Sequence, residues 1–176
     1  MMLFPMRGQR SLVKFVTKPF QQAHFSDNGR KHFERRLVKF PASQLYDVVS
    51  DVEQYHKFVP WCKESRVIRK DGASMEAELV VGFQYLNERY TSHVTMKKPS
   101  SVIATSSHTT LFQSLKTEWK FTPARDESST WVTFMIDFQF KSSIYNNVSD
   151  LFMNEVVEKM VQAFEKRCFE INKGKI

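Results

Sequence analysis

Residues 130–172, TWVTFMIDFQFKSSIYNNVSDLFMNEVVEKMVQAFEKRCFEIN, change their period part-way through. From 130 to 140, Val132, Phe134, Ile136, Phe138 and Phe140 fall on one face of an extended chain, and Thr133, Asp137 and Gln139 share the other with Trp131 and Met135. That is a strand with an aromatic wall. From 148 to 172 the period is helical. Met153, Val156, Val157, Met160, Val161, Phe164, Cys168 and Ile171 share an arc of roughly 140° on a helix turning about 100° per residue. Glu155, Glu158, Lys159, Gln162 and Lys166 face away, although Arg167 intrudes on the apolar arc. A helix of about 25 residues is roughly twice the usual length and can cover a whole sheet.

The chain upstream supplies that sheet. Residues 32–40 predict a first strand. Pro41 opens a helix with Leu45, Tyr46, Val48 and Val49 on one face and Ser43 as its N-cap. A second short helix is expected over 52–58, stopping before Pro60. Strands follow over 63–70 and 75–85, joined by an Asp71-Gly72 turn. The second of these places Met75, Ala77, Leu79, Val81, Phe83 and Tyr85 inward. Further strands are predicted over 89–97, 101–107 and 116–123, with a loop over 124–129 before the last. Short links imply an antiparallel meander, and the terminal helix must cover one face of it. The predicted class is α+β: a helix-grip layout, a curved antiparallel sheet of about six to seven strands around a long C-terminal helix. Methionines at 153 and 160 suit an adaptable apolar surface, so a central apolar cavity is expected.

Composition narrows the function. A hydrophobic fraction of 41% with 26% charged residues fits a folded globular domain. The 16 Phe, 5 Tyr and 3 Trp require a large apolar interior or a large apolar ligand. Two Cys, Cys62 and Cys168, exclude a disulfide framework, and five scattered Gly exclude a Gly-rich phosphate cradle. The five His show no metal-ligand spacing, so no metal or catalytic residue is assigned. Charge is uneven. Residues 1–26 carry Arg7, Arg10, Lys14 and Lys18 and no acid, leaving 22 basic against 19 acidic side chains in the remainder. The four cations share an arc of roughly 80° opposite Leu12, Val13, Val16 and Phe20 if that segment is helical. Such a composition is that of a mitochondrial presequence over 1–30, followed by a domain over 31–176; a disordered basic tail has the same composition. The near balance of the domain argues against nucleic acid.

The segment Phe40-Pro41-Ala42-Ser43-Gln44-Leu45-Tyr46-Asp47-Val48-Val49-Ser50-Asp51-Val52-Glu53-Gln54-Tyr55, then Phe58-Val59-Pro60-Trp61-Cys62, resembles the mitochondrial coenzyme Q-binding proteins of the START/polyketide-cyclase superfamily. Val80-Val81-Gly82-Phe83, Leu111-Phe112-Gln113-Ser114-Leu115 and the terminal helix extend the resemblance over about residues 31–172. The same segments are similar to bacterial ribosome-association toxins. The resemblance implies a START-like domain that binds coenzyme Q (ubiquinone) or its polyprenylated intermediates without performing chemistry. It implies delivery to the respiratory chain and to quinone biosynthesis, peripheral contact with the matrix side of the inner mitochondrial membrane, and contact with the complexes of those processes. An RNA- or ribosome-binding role is the alternative it carries.

The lining expected for such a ligand is Phe58, Trp61, Leu79, Val81, Phe83, Trp119, Phe121, Phe134, Ile136 and Phe138 from the sheet side. Met153, Val156, Val157, Met160, Val161 and Phe164 complete it from the helix. Each could equally be ordinary core. Each CH₂ of a tail removed from water is worth about 0.8 kcal/mol, so an isoprene unit contributes a few kcal/mol before entropic costs. Leu111, Phe112 and Leu115, read as a loop, are the candidate membrane contact. Hydrogen bonds to a ring oxygen could come from Tyr46, Tyr55, Tyr85, Tyr90, His93 or Trp119.

Overall fold

The computed structural model describes residues 30–83, 86–107, 109–142 and 146–173; the side chains of residues 30, 83, 86 and 143–155 lie outside that description. The presequence expectation for 1–30 also falls outside the described residues, but for the backbone of residue 30. The chain runs β1 (Arg30–Val38), α1 (Ala42–Ser50), a 3₁₀ turn (Val52–Lys57), β2 (Cys62–Asp71), β3 (Ser74–Phe83), β4 (Leu86–Lys97), β5 (Ser101–Ser107), β6 (Phe112–Pro123), β7 (Thr130–Phe140) and α2 (Asn146–Lys173). The seven strands form one antiparallel sheet in the order β1-β7-β6-β5-β4-β3-β2. This is the meander expected from short links, with the first strand returning to close beside the last.

Alternation sets the inner face. Along β7 every second residue from Thr130 to Phe140 is buried. Its register against β6 puts Phe134 opposite Trp119 and Val132 opposite Phe121. On the outer face Arg89 bridges Glu64 at 3.0 Å and Glu78 at 2.8 Å, and Arg66 reaches Glu78 at 3.0 Å. His93 Nδ1 lies 3.2 Å from Glu76 on the same side. Exposed pairs of this kind add little stability, but they fix which face is outside. Gly72 adopts φ +54 in the turn between β2 and β3, a backbone state that favours glycine.

The helix α2 packs chiefly against α1, β1 and β7. Val156, Val157, Val161, Phe164 and Cys168 are its buried stripe. Polar ties hold the contact: Gln44 Nε2 donates to the Cys168 carbonyl at 3.0 Å and to Asn172 Oδ1 at 2.8 Å, and Arg36 lies 3.6 Å from Glu165. Buried Thr130 donates its hydroxyl to the Phe40 carbonyl at 2.7 Å, fixing the entry to α1.

Two local expectations are corrected. Ser43 is not the N-cap; Pro41 is, and its carbonyl accepts from the Gln44 and Leu45 N–H groups. No side chain caps this helix start. β6 begins at Phe112 rather than 116; the expected extension of β3 to 85 lies outside the described residues.

Candidate functional site

Between the inner face of the sheet and α2 lies a cavity of about 150 Å³. One water needs roughly 10–15 Å³ of such space, so this is no single-atom packing defect. A void of this size accepts a guest about as large as one six-membered ring. Its wall comes from every strand except β1, from the 3₁₀ turn and the segment after it, and from α2. None of the described lining residues carries a charge.

Trp61, Leu79, Val81, Trp119, Phe134, Ile136, Val156 and Met160 line the cavity. Phe58, Phe121, Phe138, Val157, Val161 and Phe164 do not: they are packed into the solid core beside it. The reason is that aromatic rings here satisfy one another. Tyr55, Phe58 and Phe164 meet edge-on with centroids 5.1–5.9 Å apart. Trp119 lies 4.8 Å from Phe164 and 4.4 Å from Phe134, with Phe121 stacked beside it at 6.5 Å. Phe138 packs between Phe112 at 5.9 Å and Phe140 at 5.2 Å. The side chains of Phe83 and Met153 lie outside the described residues.

The expected membrane contact is corrected. Phe112 and Leu115 belong to β6 and are only 4% and 8% exposed, and both line the cavity; Leu111 is half-buried against the core. A register shift between Phe112 and Ser114 turns Phe112 and Leu115 inward although they are three positions apart. The turn ahead of them is tied down by Glu88, which is 3% exposed. Its carboxylate accepts from the Thr110 hydroxyl at 2.7 Å and from the N–H groups of Thr110 and Leu111 at 2.5 and 3.1 Å.

The sequence reading missed the small and hydroxylated members of the wall: Ala104, Ser92, Ser106 and Thr117. In-phase alternation on β4 (Tyr90, Ser92, Val94, Met96) was the available signal. Among the ring-oxygen candidates, Tyr90 and Trp119 line the cavity, whereas His93 faces outward to Glu76 and Tyr46 sits in α1 under Lys98. Tyr85 lies outside the described residues. Tyr55 lines the wall, but its hydroxyl is committed to the Val49 carbonyl at 2.5 Å.

Burial raises the tyrosine phenols of Tyr55 and Tyr90 above their ordinary range and pushes the Cys62 thiol up to about 11. Cys62 donates to the Glu64 carbonyl at 3.4 Å and stays a protonated wall residue near neutrality. Trp61 separates the cavity from the surface, for it lines the void while Lys159 Nζ stands 5.5 Å from its ring centroid. Its backbone is left-handed, φ 62, which a non-glycine residue adopts only when its surroundings impose it. The geometry thus offers an apolar, uncharged, ring-sized compartment with hydroxyls in its wall and no arranged nucleophile or base among the described lining residues.

Residues 38–165 match the family model described as polyketide cyclase / dehydrase and lipid transport. The chain belongs to that family. Within it, the chain is 39% identical over 145 residues to the mitochondrial coenzyme Q-binding protein COQ10 of Drosophila melanogaster, covering 80% of this chain and 60% of that protein. It spans about six-tenths of the length of that relative. The similarly named mitochondrial protein of Saccharomyces cerevisiae is 32% identical, with 93% of this chain and 86% of the relative covered. The ribosome association toxin RatA of Rickettsia prowazekii is 30% identical over 78% of this chain and 95% of its own. Among solved structures, a START superfamily protein from Mycobacterium smegmatis superposes with a TM-score of 0.71 at 17% identity, covering 80% of this chain and 98% of that one. An aromatase/cyclase from a Streptomyces species gives 0.72 at 13%, covering 80% and 93%. Both report the fold alone, and they bear out the helix-grip expectation.

Proposed function

We propose that this START-like domain is a non-catalytic binder of coenzyme Q or its polyprenylated intermediates. The ring and the first part of the tail would occupy the cavity. The observation that carries this reading is the charge-free apolar compartment of about 150 Å³. Its size supports one ring or one to two isoprene units inside, so a longer tail must run out of the compartment. The names of the relatives in Drosophila and Saccharomyces add coenzyme Q as the ligand and the mitochondrion as the place. The further role is delivery to the respiratory chain and to quinone biosynthesis, at the matrix side of the inner membrane, in contact with the complexes of those processes. No helix of the described residues is long and apolar enough to cross a membrane, and a peripheral carrier needs none.

The test is organic extraction and native mass spectrometry of the protein purified from a quinone-making host. A co-purifying polyprenyl quinone is the expected result. Absence of any isoprenoid, together with no quinone uptake in vitro, would sink the reading. Similarity to RatA supports a second reading, ribosome binding. It needs an unbalanced basic face, whereas Arg36, Arg66, Arg89, Lys98 and Lys120 each pair with a carboxylate. Salt-sensitive cosedimentation with ribosomes would favour it.

A further inference from the structure

Ser92 on β4 and Ser106 on β5 are direct cross-strand partners. Their Oγ atoms are 3.1 Å apart, and both residues line the cavity. Ser92 is 3% exposed. Along the same strands the inward neighbours are Tyr90, Val94, Val102 and Ala104, so three of the four are aliphatic. Two hydroxyls carry two protons and share one hydrogen bond, so one proton is left over whichever oxygen donates. Burying a hydroxyl donor in an apolar wall costs free energy unless something accepts from it. Two other polar groups of this wall are already spent: the Tyr55 hydroxyl on Val49 and the Cys62 thiol on Glu64. The compartment admits a ring-sized guest and offers no charge.

We infer that the Ser92–Ser106 hydroxyl pair is the point at which the cavity takes up a ring carbonyl oxygen, donating its spare proton to a neutral quinone. This rests on the quinone reading above and adds the position of the ring: its oxygen against the β4–β5 wall, its tail directed away from it. A carbonyl is an acceptor only, so it matches a pair with one proton to give. The arrangement has an unusual consequence. Removing either hydroxyl leaves the other with its own proton free to donate, so each single variant keeps the contact. Only the double variant loses it.

The full chain is titrated with a short-tailed quinone (2,3-dimethoxy-5-methyl-6-prenyl-1,4-benzoquinone) and with a prenylated benzene lacking ring oxygens. The carbonyl stretch of the bound quinone is read by infrared difference spectroscopy. In Ser92→Ala/Ser106→Ala the quinone should weaken about five- to tenfold and the hydrocarbon less than about twofold. Ser92→Ala and Ser106→Ala alone should stay within about twofold of the parent chain. The bound carbonyl stretch should be lowered in the parent and the single variants and return to its apolar-solvent position in the double. Because both partners are replaced together, the melting temperature of the ligand-free double variant should not fall. Equal quinone affinity in parent and double variant overturns the assignment of the pair while the cavity reading stands. A parent chain whose bound quinone shows the apolar-solvent stretch overturns it without any variant. A parent chain that binds no quinone overturns both.

Discussion

The inner faces of β6 and β7 and of β3, β4 and β5 belong to one sheet but carry opposite inventories. On β6 and β7 the inward residues include Trp119, Phe121, Phe134 and Phe138, all at most 5% exposed, and α2 brings Phe164 down onto them. On β3 to β5 they include the shorter Ala77, Ser92, Ala104 and Ser106 beside Met75, Leu79, Tyr90, Val94 and Met96, and α2 makes its main contacts elsewhere, with α1, β1 and β7. The hollow lies where the side chains are small and the helix is not seated. Aromatic content therefore fills this protein rather than hollowing it. The space for a ligand comes from residues that are too short to close it.

The largest expected effect lies on the filled half. Phe164→Ala removes a ring that is 2% exposed and touches Tyr55, Phe58 and Trp119. It should cost about 3–5 kcal/mol in urea unfolding, the range for a buried aromatic whose neighbours cannot collapse. A loss below about 1 kcal/mol would mean that this half is also loosely filled and would erase the contrast.

Next comes the opposite change on the hollow half. Ala104→Leu adds bulk to a residue that lines the void. Quinone affinity should fall at least about thirtyfold, while stability changes by less than the roughly 1–3 kcal/mol seen when a filled core is overpacked. Calorimetric titration beside urea unfolding reads both. An unchanged affinity would place the ligand outside this compartment.

A smaller effect separates the two halves by pH. Burial pushes Cys62, in the cavity wall, up to about 11 and Cys168, in the packed stripe of α2, up to about 12. The unfolded chain loses these thiol protons from about pH 9, whereas the native chain retains them. Stability is thus whole below pH 9 and declines as pH rises through those two values. The melting temperature should fall between about pH 9 and 11, and less so in Cys62→Ala/Cys168→Ala. An identical pH slope in that variant would assign the decline to other groups, the buried phenols of Tyr55 and Tyr90 first among them.

The filled half was the legible one. Period-two phenylalanines on β7 and the helical stripe from Val156 to Cys168 exist because those elements bury one face, and a sequence records that directly. The hollow half was not legible, for two reasons. A short inward side chain looks the same whether a neighbour or a void stands opposite it, so Ala104 and Ser106 carry no mark of the cavity. The bulge at the start of β6 also breaks the period, spacing Phe112 and Leu115 by three and making buried wall residues resemble a loop. Of the expected lining, Phe58, Phe121, Phe138, Val157, Val161 and Phe164 have the right character and the right face, but only contact between elements decides which rings meet each other and which meet empty space.

Trp119 sits at the boundary between the halves, packed against Phe134 and Phe164 on one side and lining the cavity on the other. With Trp61→Phe and Trp131→Phe in place it is the sole indole of the chain, and its fluorescence reports whether a quinone ring enters. Titration with the short-tailed quinone should give a saturating quench that Ala104→Leu abolishes. A quench that rises linearly without saturation, or one that Ala104→Leu leaves intact, contradicts the claim that the space beside the aromatic core is where the ligand goes.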